Sequence, residues 1–231
     1  MTAPRPIFIH GAIAGSSVWG ALTDRFDGAA VLRLPGHPNG TAIADEAELV
    51  AWIALSITQL DGPRVVIGHG LGALLAIEVA RRRPEVLDGI VMLGGGPRLH
   101  PPDLAGTDHK ETVSRLLAAS MREPDGEVGD AFAAAMEAIA PRTLSSDLAM
   151  SARIAVGAGA GEVHCPVLIV VGEQDLWAPP PEAADLAAAL PASHMIVVAQ
   201  AGHLVQADAP ATTALLIAAF LARLELTLAD R

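Results

Sequence analysis

The chain has 231 residues, a formal charge of −11 and an apolar fraction of 52%, a length that allows one large domain or two small ones. A chain of this size buries roughly 70–75% of the surface its unfolded form exposes, and its single cysteine, Cys165, excludes a disulfide framework and fits a reducing compartment. With 26 acidic against 15 basic residues, no tyrosine and one lysine, Lys110, nucleic acid is excluded as an expected partner, phenol acid/base chemistry is absent, and Schiff-base chemistry is confined to one position.

In chain order, Met1 to Pro6 carries no signal-peptide pattern and runs straight into Ile7-Phe8-Ile9. Pro6–His10 and Ala30–Leu34 read as strands, Ile43–Leu60 as a helix, Arg64–Gly68 as a strand, Leu71–Arg83 as a helix and Gly89–Gly94 as a strand. After a break, Pro166–Gly172 and His194–Ala199 read as strands, and Pro181–Leu190 and Ala207–Leu224 as helices. The strand candidates are short continuous apolar runs, the pattern of strands covered on both faces, and their alternation with helices predicts a mostly parallel, doubly wound α/β sheet. Residues 97–163 show no strand pattern and read as a small helical lid inserted into a single domain over 1–231. The longest strongly apolar stretch, Ala214–Leu224, falls short of the ~20 residues a bilayer span needs, so a soluble cytoplasmic protein is expected, with no membrane partner.

In an open parallel sheet, ligands gather beyond the carboxyl ends of the strands. There the chain carries His10-Gly11-Ala12, then Leu34-Pro35-Gly36-His37-Pro38, Gly68-His69-Gly70-Leu71-Gly72, Gly172-Glu173-Gln174-Asp175 and Ala201-Gly202-His203. At these residues the chain resembles the α/β-hydrolase superfamily over nearly its whole length. Gly68-His69-Gly70-Leu71-Gly72 matches the nucleophile elbow G-x-S-x-G except at the nucleophile, and Asp175 and His203 follow in the family's order of acid and base.

The resemblance implies a Ser-His-Asp hydrolase of small carboxylic esters, lactones or thioesters, similar to the short-lid esterases and enol-lactonases. It assigns the catalytic positions to Gly70, Asp175 and His203 and an oxyanion hole to the backbone N–H groups of Ala12 and Leu71. Glycine at position 70 cannot form an acyl-enzyme, which reads as an inactivating substitution. A naturally inactive, ligand-binding homologue and a lyase- or isomerase-like enzyme using His203 as a base are the alternatives. Glycine suits the strained elbow, so the fold is expected to survive the change.

The remaining polar residues read mainly as structural. Ser16 and Ser17 precede Val18 and Trp19 as an N-cap, with Ser16 also a candidate substrate contact or substitute nucleophile. Trp177, two residues past Asp175, is a candidate pocket residue, whereas His10, His37 and His69 are expected to support loops. His100 and His109 lack metal-ligand spacing, so neither metal nor cofactor is expected. Gly68-x-Gly70-x-x-Ala73 formally fits a dinucleotide fingerprint, but the next strand ends in Leu93-Gly94-Gly95-Gly96 without the acidic residue that would hold a ribose. A monomer or small homo-oligomer is expected.

Overall fold

The computed structural model describes residues 3–229, so the reading of one domain over 1–231 extends past the described residues at 1, 2, 230 and 231. Six strands form one parallel sheet: β1 (Arg5–Ile9), β2 (Ala30–Leu32), β3 (Arg64–His69), β4 (Gly89–Leu93), β5 (Val167–Gly172) and β6 (Ser193–Val198). Their order is β2-β1-β3-β4-β5-β6. The chain starts at β1, steps outward to β2, then crosses back and builds in the other direction, so β1 and β3 flank the point where the winding reverses. Ile9 pairs with Gly68 and His69 with Leu93, which sets the ends of β1, β3 and β4 side by side.

The four central strands are buried along nearly their whole lengths, as their Val- and Ile-rich runs predict. The edges differ. Ile196 and Val197 of β6, the edge strand beside β5, are exposed. A continuous apolar run thus marks a strand here without guaranteeing cover on both faces.

The helices are α1 (Glu46–Thr58), α2 (Leu71–Arg82), α3 (His109–Ser120), α4 (Glu127–Glu137), α5 (Pro141–Arg153), α6 (Pro180–Ala189), α7 (Val205–Asp208) and α8 (Pro210–Ala229). Asp45 starts α1 by accepting from the Glu48 N–H at 2.9 Å, with Glu46 and Glu48 in the first turn where the helix dipole favours them. Residues Gly15–Arg25 form a 3₁₀ helix whose cap position is Ala14 at φ 60°, with no side-chain cap. Ser16 and Ser17 therefore lie inside its first turn, and the expected serine cap is not made. Between β4 and β5 the chain holds α3, α4, α5 and a 3₁₀ helix, Gly157–Glu162.

The final helical segment is longer than its sequence pattern and is interrupted. Pro210 has no N–H to continue α7, so α8 begins there as a separate helix of 20 residues. By length and composition α8 could cross a membrane. In this fold Thr213, Ala214, Ile217 and Leu224 are buried, and Phe220 and Leu224 pack against Gly89 at the start of β4.

Phe8 of β1 is fully buried between the sheet and the first 3₁₀ helix, with its ring edge-on to Trp19 at 5.1 Å and tilted against Phe26 at 5.9 Å. Phe8→Ala is expected to lower unfolding stability by roughly 3–5 kcal/mol. Urea unfolding should show this as a lower midpoint with an unchanged slope.

Candidate active site

β3 ends at His69 and α2 begins at Leu71, so Gly70 alone makes the turn from strand to helix. Its φ of 52° and ψ of −115° lie in a region that L side chains rarely adopt. The Gly70 N–H donates to the Leu93 carbonyl at 3.0 Å, and its carbonyl accepts from Ala73 at 3.0 Å and Leu74 at 3.2 Å. A Cβ at this position would stand 3.1 Å from His203 Nε2 and 3.9 Å from Leu99 Cδ1.

Asp175 sits in the turn after β5, its Oδ1 accepting from the N–H groups of Trp177 at 2.8 Å and Ala178 at 2.9 Å. Both carboxylate oxygens lie 3.1 Å from His203 Nδ1. An ionised carboxylate only accepts, so this network assigns the proton to Nδ1 and leaves the Nε2 lone pair facing Gly70. Asp175 and His203 are both buried. Trp177 stacks flat on the His203 ring, centroids 4.8 Å apart and planes 7° apart, and thereby holds the imidazole plane.

Leu71, the first residue of α2, has no intrahelical partner for its N–H, and the Ala12 N–H has no backbone partner among the described residues. The loop after β1 lies close against this helix start. A Cβ on Gly11 would come 2.8 Å from the His69 carbonyl oxygen and 3.4 Å from the Leu71 nitrogen. The loop is shaped by His10, whose Nδ1 donates to the Gly11 carbonyl at 2.8 Å while Nε2 accepts from the Leu34 N–H at 3.0 Å. Burial pushes the His10 imidazole down to about 3, with the neighbouring His37 adding to the shift.

His69 donates through Nε2 to the His203 carbonyl at 3.2 Å, and the two rings lie 4.7 Å apart. Burial, together with the adjacent His203, holds His69 well below the ordinary histidine range. It therefore stays neutral and adds no cation beside His203.

Ser16 is not brought to this cluster. It lines, with Ser17, Arg33 and His37, a cavity of about 240 Å³ in which neither Gly70 nor His203 takes part. The buried His37 pairs through Nε2 with Asp147 of α5 at 2.7 Å. Burial moves His37 down to about 4 and Asp147 up to about 7. Burial thus disfavours the charged form of both partners. Cys165 lies just before β5, away from the cluster, with burial pushing its thiol up to about 12. His100 contacts Glu182 at 2.9 Å, and no group of three metal-binding side chains occurs among the described residues.

Three residues of the cluster carry no sequence signal of their own. Leu99 faces Gly70 from the insertion. The Ser120 carbonyl at the end of α3 accepts from the Leu204 N–H at 2.8 Å, and Asp208 Oδ2 accepts from Gly202 at 2.7 Å and from Arg122 at 3.2 Å. An aspartate five residues beyond His203 could have been flagged as a loop anchor. The Ser120 contact uses only backbone, which leaves no trace in side-chain identity.

Residues 7–214 match the model of the alpha/beta hydrolase family. The chain belongs to that family. Among its hydrolase relatives, a pimeloyl-[acyl-carrier protein] methyl ester esterase of Aromatoleum aromaticum is 27% identical, covering 94% of this chain and 98% of the relative. A putative carbamate hydrolase of Enterobacter cloacae is also 27% identical, covering 91% and 88%. The solved structure of a thermophilic esterase superposes with a TM-score of 0.81 at 22% identity, covering 95% of this chain and 90% of that one. The fold is thus the α/β-hydrolase fold, and the chain is hydrolase-like and esterase-like at the level these relatives share.

The buried histidines give this hydrolase fold an acid sensitivity whose sign follows from proton binding. The folded-state value of His10, about 3, lies below the ordinary histidine value of 6.5, so between the two the unfolded chain holds a proton that the folded chain does not. The stability tied to His10 is complete above pH 6.5 and is lost as pH falls toward 3, on the order of 5 kcal/mol across that window. Asp147 runs the other way, its penalty growing as pH rises from 3.8 toward 7. Urea unfolding measured from pH 7 to pH 4 should show falling stability, with a shallower slope in His10→Gln.

Proposed function

We propose that this chain has the architecture of a Ser-His-Asp hydrolase for small carboxylic esters, lactones or thioesters, but with its covalent step removed by glycine at position 70. In this reading Asp175 orients His203, and His203 is the base. The N–H groups of Leu71 and Ala12 receive the developing oxyanion. Trp177 holds the imidazole plane from behind. Residues 97–163 act as a lid that covers the cluster through Leu99.

The observation that carries the reading is the position of His203 Nε2, 3.1 Å from where a Cβ on residue 70 would stand. A serine there would present its hydroxyl to a base already oriented by a carboxylate. The esterase and carbamate hydrolase relatives support acyl-transfer chemistry on small molecules. The excess of acidic residues gives no attraction for nucleic acid, and we place the protein in the cytoplasm as a monomer or small homo-oligomer that needs no cofactor.

Gly70→Ser is expected to raise hydrolysis of activated short-chain esters by about 10³-fold or more. It should also create labelling by a serine-directed organophosphorus probe, with both gains lost on adding His203→Ala. A folded Gly70→Ser protein that stays inert across ester, lactone and thioester panels would overturn the reading. Because a side chain at φ 52° is strained, the same substitution should lower stability by about 1–3 kcal/mol, measured by thermal unfolding.

The intact His203–Asp175 pair favours one second reading, proton abstraction in a lyase- or isomerase-like reaction without a covalent intermediate. It predicts substrate turnover without net addition of water, abolished by His203→Ala. A protein that binds such molecules without turnover would instead show saturable binding alone.

A further inference from the structure

Glycine at the elbow removes a hydroxyl, but it also opens space directly in front of the base. We infer that this chain hydrolyses activated esters without an acyl-enzyme, with a water molecule taking the place of the serine hydroxyl and His203 Nε2 as its general base. The inference rests on the hydrolase reading above and concerns only how the present chain would carry it out.

Three features of the geometry support it. The first is size. A serine side chain beyond Cα is one methylene and one hydroxyl, and a water molecule occupies about 30 Å³ in the liquid, a comparable volume. The ideal Cβ direction at Gly70 leads to His203 Nε2 at 3.1 Å, with Leu99 Cδ1 at 3.9 Å as the next side chain it meets. A water in van der Waals contact with the Gly70 Cα, standing off that line, is still within hydrogen-bond reach of the imidazole.

The second is the direction of the lone pair. His203 Nδ1 is engaged by both oxygens of Asp175 at 3.1 Å, so Nε2 is the nitrogen left to accept a proton, and it faces residue 70. Stacking on Trp177 and the hydrogen bond from His69 Nε2 to the His203 carbonyl hold ring and backbone in that orientation without a serine partner.

The third is the acceptor side. The turn that presents the Leu71 N–H is held by backbone bonds of Gly70 to Leu93, Ala73 and Leu74, none of which involves a side chain at position 70. Glycine therefore leaves the donors for a developing oxyanion in place.

The step balances without a further reactant. The water oxygen bonds to the ester carbonyl carbon as one water proton passes to His203 Nε2, and the carbonyl π electrons move onto the oxygen held by Leu71 and Ala12. The tetrahedral intermediate then re-forms its carbonyl and breaks the bond to the alcohol oxygen, which takes the proton back from His203. The products are one carboxylic acid, ionised at neutral pH, and one alcohol, with no acyl-enzyme at any stage.

The experiment compares hydrolysis of p-nitrophenyl acetate by the full chain, Gly70→Ala, His203→Ala, Asp175→Asn and Gly70→Ser, with folding of each checked by thermal unfolding. A methyl group at position 70 fills the water's place without supplying a nucleophile. The expected result is that the parent exceeds Gly70→Ala and His203→Ala by roughly 10²–10⁴-fold, with those two variants at a common low rate. Asp175→Asn should also be slowed, and intact-mass analysis of quenched parent should show no acetyl adduct.

A parent rate no higher than that of His203→Ala, a Gly70→Ala rate equal to the parent's, or an acetyl adduct on the parent would each overturn the inference. Gly70→Ser separates the two claims. If it is active while the parent does not exceed His203→Ala, the water route fails and the hydrolase reading stands. If it too is inert across the ester, lactone and thioester panels, the hydrolase reading fails with it.

Discussion

The Gly70 N–H donates across the sheet to Leu93 while its carbonyl caps the start of α2 through Ala73 and Leu74. Three backbone bonds therefore force a sharp turn between a buried strand and a buried helix. Everything proposed for the cluster is arranged around that turn. It exposes the first N–H of α2, sets the place where a nucleophile would sit, and faces His203, which arrives from beyond β6 at the far edge of the sheet. Because the bonds belong to the main chain, the turn is indifferent to the loss of a hydroxyl. Glycine is the residue least strained by its φ of 52°.

Around the turn lies an unusually polar interior for a chain with this much aliphatic surface. His10, His37, His69 and His203 are all buried and lie against one another in two tilted pairs. Such groups are tolerable because nearly every one is hydrogen-bonded or kept neutral. Burial depresses His10, His37 and His69, so all three rings are held toward the neutral form. The three supporting histidines act as dipoles that fix loops, and the carboxylate singles out the fourth.

Much of this was legible in the sequence, for identifiable reasons. The strands were visible because a sheet covered by helices demands short Val- and Ile-rich runs, and the elbow because Gly68, Gly70 and Gly72 punctuate a strand-to-helix passage. Asp175 and His203 were found by their order along the chain, and their mutual contact follows from strand ends that lie side by side. Ser16 lies inside the helix instead of capping it, because the helix starts at Gly15 from an unusual Ala14 backbone. The partnership of His37 with Asp147 spans 110 positions and joins a loop to an insertion whose docking no local pattern encodes. Leu99 and the Ser120 carbonyl were invisible for the same reason. Their roles depend on how the insertion sits, and one of them uses no side-chain chemistry.

Asp208 ties these levels together. Its carboxylate accepts from Gly202, the residue before His203, and from Arg122, just past the end of α3, while Ser120 at that helix end accepts from Leu204 on the other side of His203. The imidazole is thus carried on a short segment bracketed on both flanks by attachments to the covering helix. The position of α3 and that of the segment carrying His203 are coupled through these contacts.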